Sequence, residues 1–241
     1  MKVLFISLGC DKNLVDSEVM LKLLEKKGYQ FTDDETEADI IIINTCCFIG
    51  DAKEESVNTI LEMAEYRKSG SCKALIVTGC LAQRYQKEIL DEIEEVDAVL
   101  GTATYDSIAE AVDKALRGQK ELHFEDIDRL VPEQGGRVLT TGGHYAYLKI
   151  AEGCDKRCTY CIIPKLRGRF RSVPEERLLA EAEELARQGV KELILVAQET
   201  TVYGVDLYGE KRLPELLEKL AAIPGIRWIR VQYCYPEEIT E

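Results

Sequence analysis

Apolar positions along the first 118 residues follow two alternating patterns, short unbroken runs and longer stretches with one apolar side. Residues 3–8 make a short β-rich run. Residues 14–27 read as a helix, with Leu14, Met20, Leu21 and Leu24 on one face and Gly28 as its stop. Residues 39–44 hold four consecutive isoleucines, the continuous apolar run of a strand buried on both faces. A helix over about 52–67, a strand at 74–78, a helix over about 82–94, a strand at 98–101 and a last helix ending near Gly118 continue the alternation. Strands and helices in this order predict right-handed βαβ units, hence a parallel sheet with helices on both sides. Residues 119–144 break the pattern, first acidic and then glycine-rich (Gly135, Gly136, Gly142, Gly143), and read as a connection between domains.

The pattern restarts at Tyr145. A strand at 145–150 leads into a cysteine-rich loop, and a helix over about 174–188 follows, with Pro174 in its first turn and Gly189 as its stop. A strand at 192–197, a helix over about 213–223 and a strand at 228–233 complete the order expected for the opening of a (β/α) barrel, and Pro236 begins one more helix. The fold class expected is α/β: a parallel αβα sheet domain over 1–118, a connection over 119–144 and an incomplete barrel over 145–241. Three parallel strands do not close a barrel and the third would be an open edge. The sequence is therefore expected to be a piece of a longer protein, impaired in turnover by itself.

Composition narrows the function. At 241 residues and 46% hydrophobic the chain supports packed cores, which excludes wholesale disorder. Lys and Arg number 31 against 44 Asp and Glu, a net charge of −13, of which −12 falls on residues 1–140. Such a balance argues against direct wrapping of nucleic acid, which needs clustered cations. Neither a signal peptide nor a membrane-spanning run of roughly 20 apolar residues is legible, so a cytoplasmic protein without a membrane partner is expected. Thiols stay reduced there, and nine cysteines then call for metal binding, catalysis or core packing.

Three of them, Cys154, Cys158 and Cys161, are spaced C-x3-C-x2-C on the loop after the first barrel strand. Three thiolates on one short loop hold three irons of a cubane [4Fe–4S] cluster and leave the fourth iron open to a substrate or cofactor. A structural zinc site is the alternative, but it wants a fourth ligand, and the two histidines, His123 and His144, lie outside the loop. With Tyr160 just before the third cysteine, the loop resembles the signature of the radical S-adenosylmethionine (SAM) enzymes. The resemblance implies that the open iron chelates the methionine part of SAM, that the reduced cluster cleaves it to a 5′-deoxyadenosyl radical, and that Tyr160 sits near the adenine. In such enzymes the position after the second barrel strand, here Gln198 and Glu199, binds the methionine ammonium; a capped surface turn is the plainer reading. Lys165, Arg167, Arg169 and Arg171 follow the loop, either as a solvated charge run or beside the cofactors.

Cys10, Cys46 and Cys80 each follow a strand of the first sheet, at the carboxyl ends where open α/β folds place ligands. Gly9 and Gly79 precede two of them and permit close backbone approach. The spacing alone leaves open a shared metal site or small core residues, the reading that suits Cys72 and Cys234. The stretches Ser7-Leu8-Gly9-Cys10-Asp11-Lys12-Asn13-Leu14-Val15-Asp16-Ser17-Glu18, Asn44-Thr45-Cys46 and Thr78-Gly79-Cys80 are similar to the amino-terminal domain of the methylthiotransferases, two-cluster members of the radical SAM class. That resemblance implies a second [4Fe–4S] cluster on Cys10, Cys46 and Cys80, with Cys47 a departure from the small residue usual after the ligand. It also implies that one SAM molecule is the methyl donor and another the radical source. Cys10-Asp11-Lys12-Asn13 and Gln198-Glu199-Thr200-Thr201 are closest to the branch that methylthiolates the β-carbon of an aspartate in a small-subunit ribosomal protein. Nucleic acid would then be met only through the ribosome, and electrons would come from a flavodoxin or ferredoxin. The alternatives are a transfer-RNA adenosine methylthiotransferase and a non-catalytic iron–sulfur or zinc scaffold.

Overall fold

The computed structural model describes residues 1–132 and 135–239. The chain divides into two compact units, Met1–Arg137 and Val138–Glu241. Glu133 and Gln134, inside the stretch read as a connection, and the last two residues of the expected barrel segment lie outside the described residues.

The first unit runs β1 (Lys2–Ser7), α1 (Asp11–Lys26), β2 (Gln30–Thr32), β3 (Ile40–Thr45), α2 (Gly50–Ser69), β4 (Ala74–Gly79), α3 (Cys80–Tyr85), α4 (Lys87–Glu92), β5 (Ala98–Leu100), α5 (Ile108–Ala115) and β6 (Glu121–His123). The strands form one parallel sheet in the order β2-β1-β3-β4-β5-β6. Every residue of β3 and β4 is buried, which is why the isoleucine run has no polar alternation. Ile40 and Ile42 pack with Met20 and Leu24 of α1 and with Ile108 and Val112 of α5. Ile41 and Ile43 point to the opposite face, where α2 lies against β3 and β4.

Three features depart from the sequence reading. The helix expected over 82–94 is two helices, because Gln86 takes φ 43°, ψ −112° and interrupts the hydrogen-bond ladder; Gln favours helices, so composition hides the break. The edge strands β2 and β6 are three residues each, too short to show a period, and β6 lies within the stretch read as a connection.

The second unit runs β7 (Tyr145–Lys149), β8 (Ala151–Glu152), α6 (Ile163–Arg167), β9 (Arg171–Ser172), α7 (Glu175–Arg187), β10 (Glu192–Val196), α8 (Val205–Tyr208), α9 (Leu213–Ala221) and β11 (Trp228–Val231). Its parallel sheet has the order β11-β10-β7, with Leu193 opposite Ala146 and Ile229. Leu178, Ala182 and Leu185 of α7 and Leu216 and Leu220 of α9 pack into one core with Ala146 and Leu148 of β7 and Leu193 and Leu195 of β10. Both crossover helices thus cover the same face, as successive βαβ units of a barrel do. A two-residue antiparallel ladder, β8 with β9, brackets the cysteine loop. Pro236–Glu238 forms a 3-10 turn, where the sequence suggested the start of a helix.

Candidate functional site

In the first unit the sheet order reverses beside β1. The chain leaves β1 for β2 on one side and returns to β3 on the other, so the carboxyl ends of β1 and β3 flank the switch point where open α/β sheets bind ligands. Cys10 follows β1 at the mouth of α1, Cys46 follows β3, and Cys80 opens α3 directly after β4. Neighbouring strands lie roughly 5 Å apart, so three adjacent strand ends bring residues 34 or more apart in sequence within about 10 Å laterally. Gly9 has φ 96°, and a Cβ there would lie 2.6 Å from Cys46 Cβ and 3.0 Å from its Sγ. The Cys46 thiol therefore rests against the backbone that carries Cys10. Gly79, at φ 92°, leaves no room for a Cβ, which would meet Asn44 Oδ1 at 2.3 Å.

Cys46 and Cys80 are buried, whereas Cys10 is exposed and makes no side-chain cap to α1. Ser56 of α2 fixes Cys46: the Cys46 N–H donates to Ser56 Oγ at 3.0 Å, and the hydroxyl donates to Cys46 O at 2.8 Å. Cys47 Sγ donates to Cys80 O at 3.2 Å, and burial pushes its thiol pKa up. Cys72 is a core residue before β4, bonded to Ala74 O at 3.1 Å. Cys234 is not. It lies beyond the end of β11, exposed, with Sγ 3.3 Å from Thr200 Oγ1, because β11 is short and only half covered.

In the second unit the loop from Cys154 to Cys161 is held at both ends. The Cys154 N–H donates to Gly168 O at 3.1 Å, and the Cys161 N–H closes a turn on Cys158 O at 2.9 Å. Burial raises the Cys154 thiol pKa, and the nearby Cys158 and Cys161 sulfurs add to the rise. Cys158 also raises the Tyr235 phenol beside it. Tyr160 projects outward, 89% exposed, with no aromatic partner given by its own loop.

Gln198 and Glu199 do not form a surface turn. Glu199 is 1% exposed, and its Oε1 accepts the Thr201 N–H at 3.0 Å and the Thr201 hydroxyl. Its Oε2 has no hydrogen bond, with Lys156 Nζ standing 3.3 Å away as an ion-pair partner. Lys156 also meets Glu238 at 3.1 Å and lies 3.9 Å from the Tyr235 ring. Gln198 Nε2 donates to Glu152 Oε1 at 3.1 Å, which leaves its buried Oε1 without a donor. After β10 there are thus one unfilled acceptor, Gln198 Oε1, and one held only by the Lys156 ammonium, Glu199 Oε2, both of a type suited to a ligand ammonium.

Glu152, Lys156 and Tyr235 escaped the sequence reading; only the placement of Glu152 just before Gly153-Cys154 hinted at a role. Of the four cations after the loop, Arg167 is buried on Glu152 (3.1 Å), Arg171 donates to the Arg167 and Arg169 carbonyls (3.0 and 2.5 Å), and Lys165 and Arg169 are exposed at the surface.

Among the described residues no three His, Cys, Asp or Glu side chains close on a single metal ion. A cubane spreads its ligand sulfurs around four irons, wider than the shell of one ion. Two all-thiol sets at strand ends fit that group better than closed tetrahedral zinc.

Residues 2–101 match the uncharacterized protein family UPF0004, and residues 148–239 match the radical SAM superfamily. Over all 241 residues the chain is 70% identical to the ribosomal protein uS12 methylthiotransferase RimO of Lachnoclostridium phytofermentans, covering 55% of that protein. The chain belongs to the radical SAM methylthiotransferase family. A second member, the RimO of Clostridium tetani, is 55% identical over 98% of the chain and 53% of its own length. The chain spans about half the length of these curated relatives. Among solved structures, the radical SAM methyltransferase TsrM of Kitasatospora setae, with cobalamin and a [4Fe–4S] cluster bound, has a TM-score of 0.54 at 13% identity, covering 95% of this chain and 58% of that one. At that identity this methyltransferase shares the fold.

Proposed function

We propose that this methylthiotransferase chain is part of an enzyme that adds a methylthio group to the β-carbon of an aspartate in the small-subunit ribosomal protein uS12. The observation that carries the reading is two separate sets of three cysteines at strand ends, in a chain 70% identical to a relative that bears that name. Cys154, Cys158 and Cys161 would hold one [4Fe–4S] cluster, and Cys10, Cys46 and Cys80 the second. When bound, the clusters and SAM supply a carbon-centred radical, a sulfur atom and a methyl group. The chain's own residues bind and orient. Tyr160 offers an exposed ring for the adenine. Gln198 Oε1 and Glu199 Oε2 offer two acceptors to the methionine ammonium, with Lys156 giving way at Glu199. A flavodoxin or ferredoxin is the electron donor in this reading, and the cytoplasm the compartment. No helix among the described residues is long and apolar enough to cross a membrane.

The test is mass spectrometry on cells lacking the gene. The methylthio mark should vanish from the aspartate of uS12 and return with the intact gene. If it vanishes from transfer-RNA adenosines instead, the substrate is wrong while the chemistry stands.

A further inference from the structure

Asn13, in the first turn of α1, is fully buried. Its side-chain Nδ2 donates to Leu8 O at 3.0 Å and to Thr45 O at 2.9 Å, and its Oδ1 lies 3.9 Å from Cys80 Sγ. These three contacts fall two residues before Cys10, one residue before Cys46, and on Cys80 itself. The last backbone bond between β1 and β3 runs from the Leu8 N–H to Asn44 O at 2.8 Å. Beyond it the strand ends part around the switch point, and the Asn13 amide bridges the gap.

The main chain of Asn13 is locked in turn. Its carbonyl accepts Asn44 Nδ2 at 2.9 Å and Ser17 Oγ at 3.0 Å, and Ser17 Oγ lies 2.7 Å from Ser7 Oγ. The close approach at Gly9 belongs to the same corner, since a Cβ there would come within 3.3 Å of Asn13 Nδ2. The residue type matches the task. Asn carries two donors on one nitrogen and an acceptor on a short side chain; Asp has no donor when ionised, Ser has one, and Gln is a methylene longer.

We propose that Asn13 is the positioning residue that sets the separation of Cys10, Cys46 and Cys80, a role that rests on the reading of these cysteines as cluster ligands. It touches none of the reacting atoms. It ties three strand ends, each from a different part of the chain, to one side chain. Groups that orient ligands in this way typically change metal affinity roughly 10- to 100-fold when removed.

The test uses the full chain with Cys154, Cys158 and Cys161 replaced by Ala, so that only the first set takes up iron, reconstituted anaerobically with ferrous iron and sulfide. Asn13→Ala and Asn13→Asp are compared with this parent and with Leu24→Ala, which trims a buried side chain elsewhere on α1. Iron per chain, the electron paramagnetic resonance spectrum of the reduced cluster, its midpoint potential and the thermal unfolding curve are read for each. Asn13→Ala should lose most of its iron, and Asn13→Asp should move the midpoint to more negative values, since a carboxylate beside the Cys80 sulfur favours the oxidised cluster. Leu24→Ala should unfold at lower temperature with its iron and potential unchanged. Parental iron and potential in both Asn13 variants would overturn the assignment. So would an iron loss in Leu24→Ala matching that in Asn13→Ala, because Asn13 would then be merely structural. A parent that takes up no iron refutes the cluster itself, and the inference with it.

Discussion

Glu152 shows how one ionised side chain decides the geometry of another. A carboxylate only accepts hydrogen bonds, so it turns the Gln198 amide to present its NH2 group and leaves the Gln198 carbonyl free. Burial pushes the Glu152 pKa upward, but Lys149 at 3.0 Å and Arg167 at 3.1 Å outweigh it and hold the carboxyl below its ordinary value of 4.5. A depressed folded-state pKa contributes stability above the ordinary value and loses it as the pH falls below. Glu152→Gln removes the negative charge that faces two poorly solvated cations and is expected to cost about 3 kcal/mol at neutral pH. Thermal unfolding checks this, and the variant's midpoint should fall less steeply than the parent's between pH 5 and 3, roughly the range where linkage acts. The cysteines divide at the same scale. Cys72→Ala should cost roughly 1–2 kcal/mol in denaturant unfolding, and Cys234→Ala, at an exposed position, less than about 0.5 kcal/mol; neither should change the iron content.

Elements were legible where they were long and buried. The isoleucine run of β3 announced itself as an unbroken apolar stretch and the Met20–Leu24 face of α1 by its helical period, because both pack against neighbours along their length. The edge strands β2 and β6 did not, since three residues carry no period. Nor did the break at Gln86, where a helix-favouring residue takes a left-handed φ that an L side chain adopts at a cost. Gln86→Gly removes that cost and is expected to stabilise the first unit by about 1 kcal/mol, read as a higher denaturant midpoint with an unchanged slope.

For the molecule as a whole, the two cysteine sets lie in different units, Cys10, Cys46 and Cys80 in Met1–Arg137 and Cys154, Cys158 and Cys161 in Val138–Glu241. Each set is therefore expected to load independently. Removing either by triple Ala substitution should leave about half of the iron and sulfide of the reconstituted parent. Full iron after loss of the first set would show that it binds none. The sequence by itself determined the α/β class and the loop set Cys154, Cys158 and Cys161, because helical period, buried runs and short spacing are local properties of a chain. It also marked Cys10, Cys46 and Cys80 as strand-end residues. That their strand ends are neighbours was decided by the tertiary structure: the three cysteines are 34 or more residues apart, and only the hydrogen-bonded order β1-β3-β4 sets those ends side by side. Tertiary packing also turned Gln198 and Glu199 from a turn into a buried pair of acceptors, since the charges that orient them, Glu152 and Lys156, come from other segments of the second unit.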